Sequence, residues 1–218
     1  MRALILANGD PPSAGLAKRL AMQHDIVMAT DGAAHTAIAL GLTPSIVCGD
    51  FDSVDLEAAR LELPMAEFVE TPDQNLADLE KALLLARDRG ATEITLLGAT
   101  GGRIDHTLTA IALLLRYHRE LSIVLRQDGS AVWAISGSND HDAAVQVATR
   151  PGDTISLIAF APDNLISLTG VKWPLSEARL PIGTAGVSNI AIGDLVELTI
   201  GGGQVVLCHL FDANASAE

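Results

Sequence analysis

Through the first 126 residues, short apolar runs alternate with stretches whose apolar side chains recur at helical spacing. The runs ALILA (3–7), IVMAT (26–30), SIVCG (45–49), ITLLG (94–98) and LSIVLR (121–126) are continuous rather than alternating in polarity. That is the mark of strands covered on both faces. In NLADLEKALLLARDRG, Leu76, Leu79, Leu83 and Ala86 repeat every three or four residues and Gly90 supplies a stop, so the spacing predicts a helix over about 75–89. A second helix is expected from about Asp105 to Arg119. Strands and helices in turn predict an α/β layer with a mostly parallel, Rossmann-like sheet.

Past Asp128 the pattern changes. Gly, Pro, Ser and Thr punctuate β-rich runs such as DTISLIAFA, DLVELTI and QVVLCHL, and no helical period recurs. This predicts an α/β domain over 1–127 followed by an all-β sandwich over 128–218, with the join between Gln127 and Asp142. The GGG at 201–203 reads as a hairpin turn.

Composition narrows the function. The net charge of −13 argues against a nucleic-acid partner, because binding phosphate backbones takes a Lys/Arg surface. No apolar run is long enough to span a membrane, and MRALILANGDPP breaks too early for a signal peptide, so a cytoplasmic protein is expected. Cys48 and Cys208 lack metal-ligand spacing and read as small buried hydrophobes.

In open α/β sheets ligands bind beyond the carboxyl ends of the strands. Here those ends carry Asn8-Gly9-Asp10, Thr30-Asp31-Gly32, Gly49-Asp50-Phe51-Asp52-Ser53 and GATGGRIDH (98–106). Asp50 and Asp52, two residues apart in an extended segment, would point the same way. Carboxylates so placed repel unless a cation stands between them, and hard oxygen ligands suit magnesium. The competing reading is that Asp52 or Ser53 caps a helix starting near Val54. Adding Asp31 and Asp78 favours the metal. Asp73, Gln74 and Asp78 fall at a helix start, where free N–H groups favour anions. In GATGGRIDH the glycines permit close approach to a phosphate and Arg103 offers a two-pronged donor, without a Walker A or dinucleotide-binding pattern.

The ordered series DGAAH (31–35), GDFDS (49–53), TPDQNLADLEKAL (71–83), GATGGRIDH (98–106), GVKWPL (170–175) and VSN (187–189) resembles the thiamine pyrophosphokinase family. The resemblance implies pyrophosphoryl transfer from ATP to thiamine by a magnesium-dependent homodimer with a C-terminal β-sandwich. It assigns Asp31, Asp50, Asp52 and Asp78 to the metal and the phosphates. Gln74, Gly101, Gly102, Arg103 and Asp105 go to the nucleotide cleft, with Asp50, Asp52, Asp78, Arg103 and Asp105 as the catalytic set. Trp173, Ser188 and Asn189 would bind thiamine. His35 and Ala77 depart from the family's usual Asn and Thr or Ser. Two other functions compete: a thiamine or nucleotide sensor without turnover, and a haloacid-dehalogenase-like phosphatase using Asp50 as nucleophile.

Overall fold

The computed structural model describes residues 1–52, 55–137, 143–162, 164–183 and 185–213. The chain divides into two compact units, Met1–Asp128 and Gly129–Glu218.

In the first unit six strands, β1 (Arg2–Leu6), β2 (Ile26–Thr30), β3 (Ile46–Gly49), β4 (Glu67–Glu70), β5 (Glu93–Leu97) and β6 (Ser122–Gln127), lie in the order β4-β3-β2-β1-β5-β6. Every pair in that order is parallel. Five α-helices connect them, α1 (Ala14–Ala21), α2 (Ala34–Ala39), α3 (Leu56–Glu62), α4 (Asp78–Asp88) and α5 (Ile104–Tyr117), with a 3-10 turn at Asp31–Ala33 leading into α2. The continuous apolar runs are accounted for by burial, since Leu4, Ile5, Leu6, Met28, Ala29, Leu96 and Leu97 are fully buried. Helix α4 presents Ala82, Leu83 and Ala86 to the interior, all fully buried. Its end follows the sequence signal: Gly90 takes φ 90° just beyond the last turn, a left-handed conformation that glycine adopts without steric cost.

Two local expectations need correction. The cap of α3 is Asp55, whose carboxylate accepts the Ala58 N–H at 3.1 Å, and not Asp52; Ser53 and Val54 lie outside the described residues. The segment after β3 is not extended either. Phe51 has φ 61°, held by its N–H donating to Asp31 Oδ2 at 2.9 Å and by its ring lying 6.1 Å from that of Phe68.

The second unit contains β7 (Ser130–Gly137), β8 (Ala143–Ala148), β9 (Thr154–Ala159), β10 (Asn164–Thr169), β11 (Leu175–Leu180), β12 (Gly186–Ile190) and β13 (Leu195–Leu210). Its pairings are antiparallel, and β13 is the hub, meeting β7, β8, β9 and β10. Ile155, Leu157, Ile166, Leu168, Val196, Leu198 and Leu207 form one buried apolar cluster. Gly201 to Gly203 are not a hairpin turn: β13 runs straight through them for 16 residues. They mark the place where the strand changes partners, from β8 along Leu195–Ile200 to β7 along Gly203–Leu210. Glycine is required there because Gly203 has φ 82° and a Cβ on it would come within 2.3 Å of the Asn164 carboxamide oxygen.

Candidate active site

The strand order reverses beside β1: its successors β2, β3 and β4 lie on one side, β5 and β6 on the other. Loops leaving β1 and β5 diverge at such a point and open a crevice at the carboxyl edge of the sheet. Here the two loops are laced together first. Gly9 N–H donates to Gly98 O at 2.6 Å and Asp10 N–H to Thr100 O at 2.8 Å. Gly101, at φ 79°, lies against the Asp10 side chain, and a Cβ there would meet that carboxylate at 2.0 Å. Beyond these contacts is a cleft of about 590 Å³, lined in part by Gly9, Asp31, Asp50, Asp78, Gly101 and Arg103.

Three carboxylates meet at one side. Asp31, Asp50 and Asp52 each offer an oxygen, and the three oxygens lie within 4.8 Å of one another. Asp31 is 2% exposed, and its oxygens accept the N–H groups of Gly32 at 2.7 Å and Phe51 at 2.9 Å. Burial pushes the Asp31 carboxyl above its ordinary range, against those two hydrogen bonds, and the charges of Asp78 and Asp50 push the same way. Asp50 is drawn down, chiefly by the hydrogen bond from Gln74 Nε2 at 2.8 Å. Its charge in turn raises Asp52. Mutual repulsion of this kind is what a bound cation relieves, and a set of carboxylate oxygens suits a hard divalent ion such as magnesium. Glycine at the end of β3 makes room for the group: a Cβ on Gly49 would come within 2.3 Å of Asp31 Cγ.

Asp78 falls outside that trio. It is the first residue of α4, with its side chain 44% exposed, and Lys81 Nζ donates to its Oδ1 at 2.9 Å. The Lys81 side chain is only 4% exposed. Burial pulls its ammonium down, but the hydrogen bond to Asp78 and the charges of Asp78, Asp50 and Asp31 outweigh that and leave its pKa above the usual lysine value. Lys81 was not singled out from the sequence. The sequence carries only its spacing, three residues after an aspartate at the helix start, and not its burial.

Across the cleft, Arg103 precedes α5 and grips Asp105 with two prongs, Nε to Oδ1 at 3.1 Å and Nη2 to Oδ2 at 2.5 Å. That guanidinium, helped by the His106 N–H, pulls the Asp105 carboxyl down to about 2. The Arg103 side chain is 71% exposed. Gly102, at φ 59°, shapes the loop but is not among the residues lining the cleft, and neither is Asp52.

The remaining three sequence candidates belong to the second unit. Trp173 is 53% exposed, with Lys172 Nζ 4.7 Å from its ring centroid. Asn189 is buried and clamps the Trp173 backbone: its Oδ1 accepts the Trp173 N–H at 3.1 Å and its Nδ2 donates to the Trp173 carbonyl at 2.7 Å. Ser188 is exposed at φ 66° and its N–H donates to Ser156 Oγ at 3.0 Å. Both cysteines are free, and burial pushes the Cys48 thiol up to about 12. No helix among the described residues is long and apolar enough to cross a membrane.

Two family models match the chain. The thiamin pyrophosphokinase catalytic domain covers residues 17–125, and the thiamin pyrophosphokinase vitamin B1 binding domain covers 141–205. Thiamin pyrophosphokinase 1 of Caenorhabditis elegans is 25% identical over 191 residues, spanning 82% of this chain and 76% of the relative. Thiamine pyrophosphokinase of Bacillus subtilis is 29% identical over 174 residues, spanning 77% and 78%. The crystal structure of the Bacillus subtilis protein superposes with a TM-score of 0.82 at 23% identity, covering 97% of this chain and 100% of that one. At that identity the superposition speaks for the fold.

Proposed function

The chain belongs to the thiamine pyrophosphokinase family, and on that premise we infer that it transfers the pyrophosphoryl group of ATP to the hydroxyl of thiamine, releasing thiamine diphosphate and AMP. The observation that carries the reading is the convergence of Asp31, Asp50 and Asp52 beside a cleft at the sheet's switch point. An acidic trio alone repels a polyphosphate. With magnesium held on it, the same trio would bind one, and the ion would supply screening of the phosphate charge.

The protein's own groups then divide the work. Asp31, fixed by two backbone N–H groups, and Asp50, fixed by Gln74, hold the metal-facing oxygens in place. Asp52 completes the trio, and Asp78 orders the start of α4 beside it. Arg103 offers a planar donor to charge gathering on the transferred or leaving phosphate. Gly101 and Gly102 keep that loop close and free of side chains. Asp105 stays ionised through neutral pH in the grip of Arg103, so it is a poor proton acceptor and serves to orient the arginine and the attacking hydroxyl. A loose transition state asks for little help in removing the alcohol proton.

The second unit, read as a β-sandwich, recognises thiamine in a cytoplasmic homodimer. The exposed indole of Trp173 can stack on a cationic ring. Ser188 presents its hydroxyl, and Asn189 acts by holding the Trp173 backbone. The overall charge of −13 attracts cationic thiamine. The intact acidic set favours turnover over a sensor. Incubation with ATP, magnesium and thiamine, with products identified by mass spectrometry, tests the reading. Thiamine-dependent AMP and thiamine diphosphate are expected; thiamine binding without AMP release would return the sensor.

A further inference from the structure

We propose that the Lys81 ammonium is a polyphosphate-binding group of the cleft, held by Asp78 until a nucleotide takes over or shares the contact. The inference rests on the reading that the cleft takes ATP. Lysine is rarely buried unless its charge is fully compensated, yet the Lys81 side chain is 4% exposed. Its ammonium carries three donors, and among the described residues one of them is used, on Asp78 Oδ1 at 2.9 Å. The rest belong to a side chain that forms part of the cleft wall together with Asp31, Asp50 and Arg103.

An ion pair serving stability alone is a weak account of such a position, because pairs that bury a charge are often no more stable than apolar residues of similar volume. The pair is also lopsided. Asp78 is 44% exposed and keeps access to water when its partner turns away, whereas Lys81 can exchange Asp78 only for something that enters the cleft. The two cations of the wall therefore differ in kind. Arg103 is an exposed planar fork already engaged with Asp105, while Lys81 is a recessed point charge, suited to a phosphate oxygen at no particular angle.

The test is calorimetric titration of the full chain with magnesium and α,β-methylene-ATP, in which carbon replaces the oxygen of the bond that transfer would break. AMP, read by competition, is the second probe. Lys81→Met should weaken the analogue about tenfold or more, the loss of one charge-assisted hydrogen bond, and AMP by less than about twofold. Lys81→Arg should keep most of the analogue's affinity. If Lys81→Met does not retain native circular dichroism, Lys81→Gln is read by the same criteria, since it can still donate to Asp78 without the charge. Unchanged analogue affinity, or equal losses for analogue and AMP, overturns the proposal and leaves Lys81 a structural partner of Asp78. A wild-type protein that binds neither probe overturns the ATP reading itself, a result distinct from wild-type binding that the variants do not alter.

Discussion

Replacing Gly49 by alanine adds one methyl group at the most crowded point of the acidic site. The added Cβ would lie 2.3 Å from Asp31 Cγ and 2.7 Å from Asp31 Cβ. The near atom at 2.7 Å is the root of the side chain and not its flexible end, so a rotamer change cannot clear it. Either β3 or the Asp31 backbone must move. Overpacking of this kind costs about 1–3 kcal/mol. If displacement also breaks the hydrogen bond from Gly32 or Phe51 to the carboxylate, a further loss of roughly 1.5–3 kcal/mol follows. We expect a destabilisation of about 1–3 kcal/mol, or about 2.5–6 kcal/mol if a hydrogen bond is also lost, together with a fall in turnover of at least about tenfold as the trio loses its geometry. Urea unfolding followed by circular dichroism at 222 nm is the assay, because every helix among the described residues belongs to the first unit. Tryptophan fluorescence reports the second unit instead, since Trp133 and Trp173 both belong to it. A Gly49→Ala protein within about 0.5 kcal/mol of wild type and fully active would refute the claim that Asp31 is locked in place.

Asp50→Asn and Asp52→Asn should each cut turnover by at least about a hundredfold with the fold retained, as removal of a charged ligand from a phosphoryl-transfer centre does; full activity of both at ordinary magnesium contradicts the metal role. Arg103→Lys should lower kcat or raise the ATP KM, because a flexible point charge cannot grip Asp105 with two prongs; steady-state kinetics indistinguishable from wild type would make the arginine dispensable. Trp173→Ala should raise the thiamine KM about tenfold, from a stacking contribution of roughly 1–2 kcal/mol, and leave the ATP KM in place; unchanged thiamine kinetics would remove the indole from recognition.

Strands buried on both faces declared themselves in the sequence because nothing polar interrupts them. Strand β4 did not: EFVE sits at the sheet's edge with both glutamates exposed, so its composition carries no apolar run. The triple glycine misled because glycine serves turns and partner changes equally. Only the identity of the neighbouring strands, which are remote in sequence, separates the two. At the site, Asp31, Asp50 and Asp52 were legible from their places at strand ends, but the pairing of Asp50 with Asp52 was credited to an extended backbone. It arises instead from the left-handed turn at Phe51, which local propensity does not announce. Lys81 was hidden for the opposite reason. A lysine in a helix is ordinarily a solvated face, and nothing short of the packed helix shows that this one is buried.

The central claim is that the cleft moves two phosphates together from ATP to thiamine. Parallel reactions with ATP labelled at the α or the β phosphorus, run with magnesium and thiamine and separated by anion exchange, test it most directly. The account predicts that the β label moves wholly into thiamine diphosphate while the α label stays wholly in AMP, in equal amounts and only when thiamine is present. Label left in ADP, from transfer or hydrolysis of the γ phosphate alone, or β label released as free pyrophosphate, would contradict it.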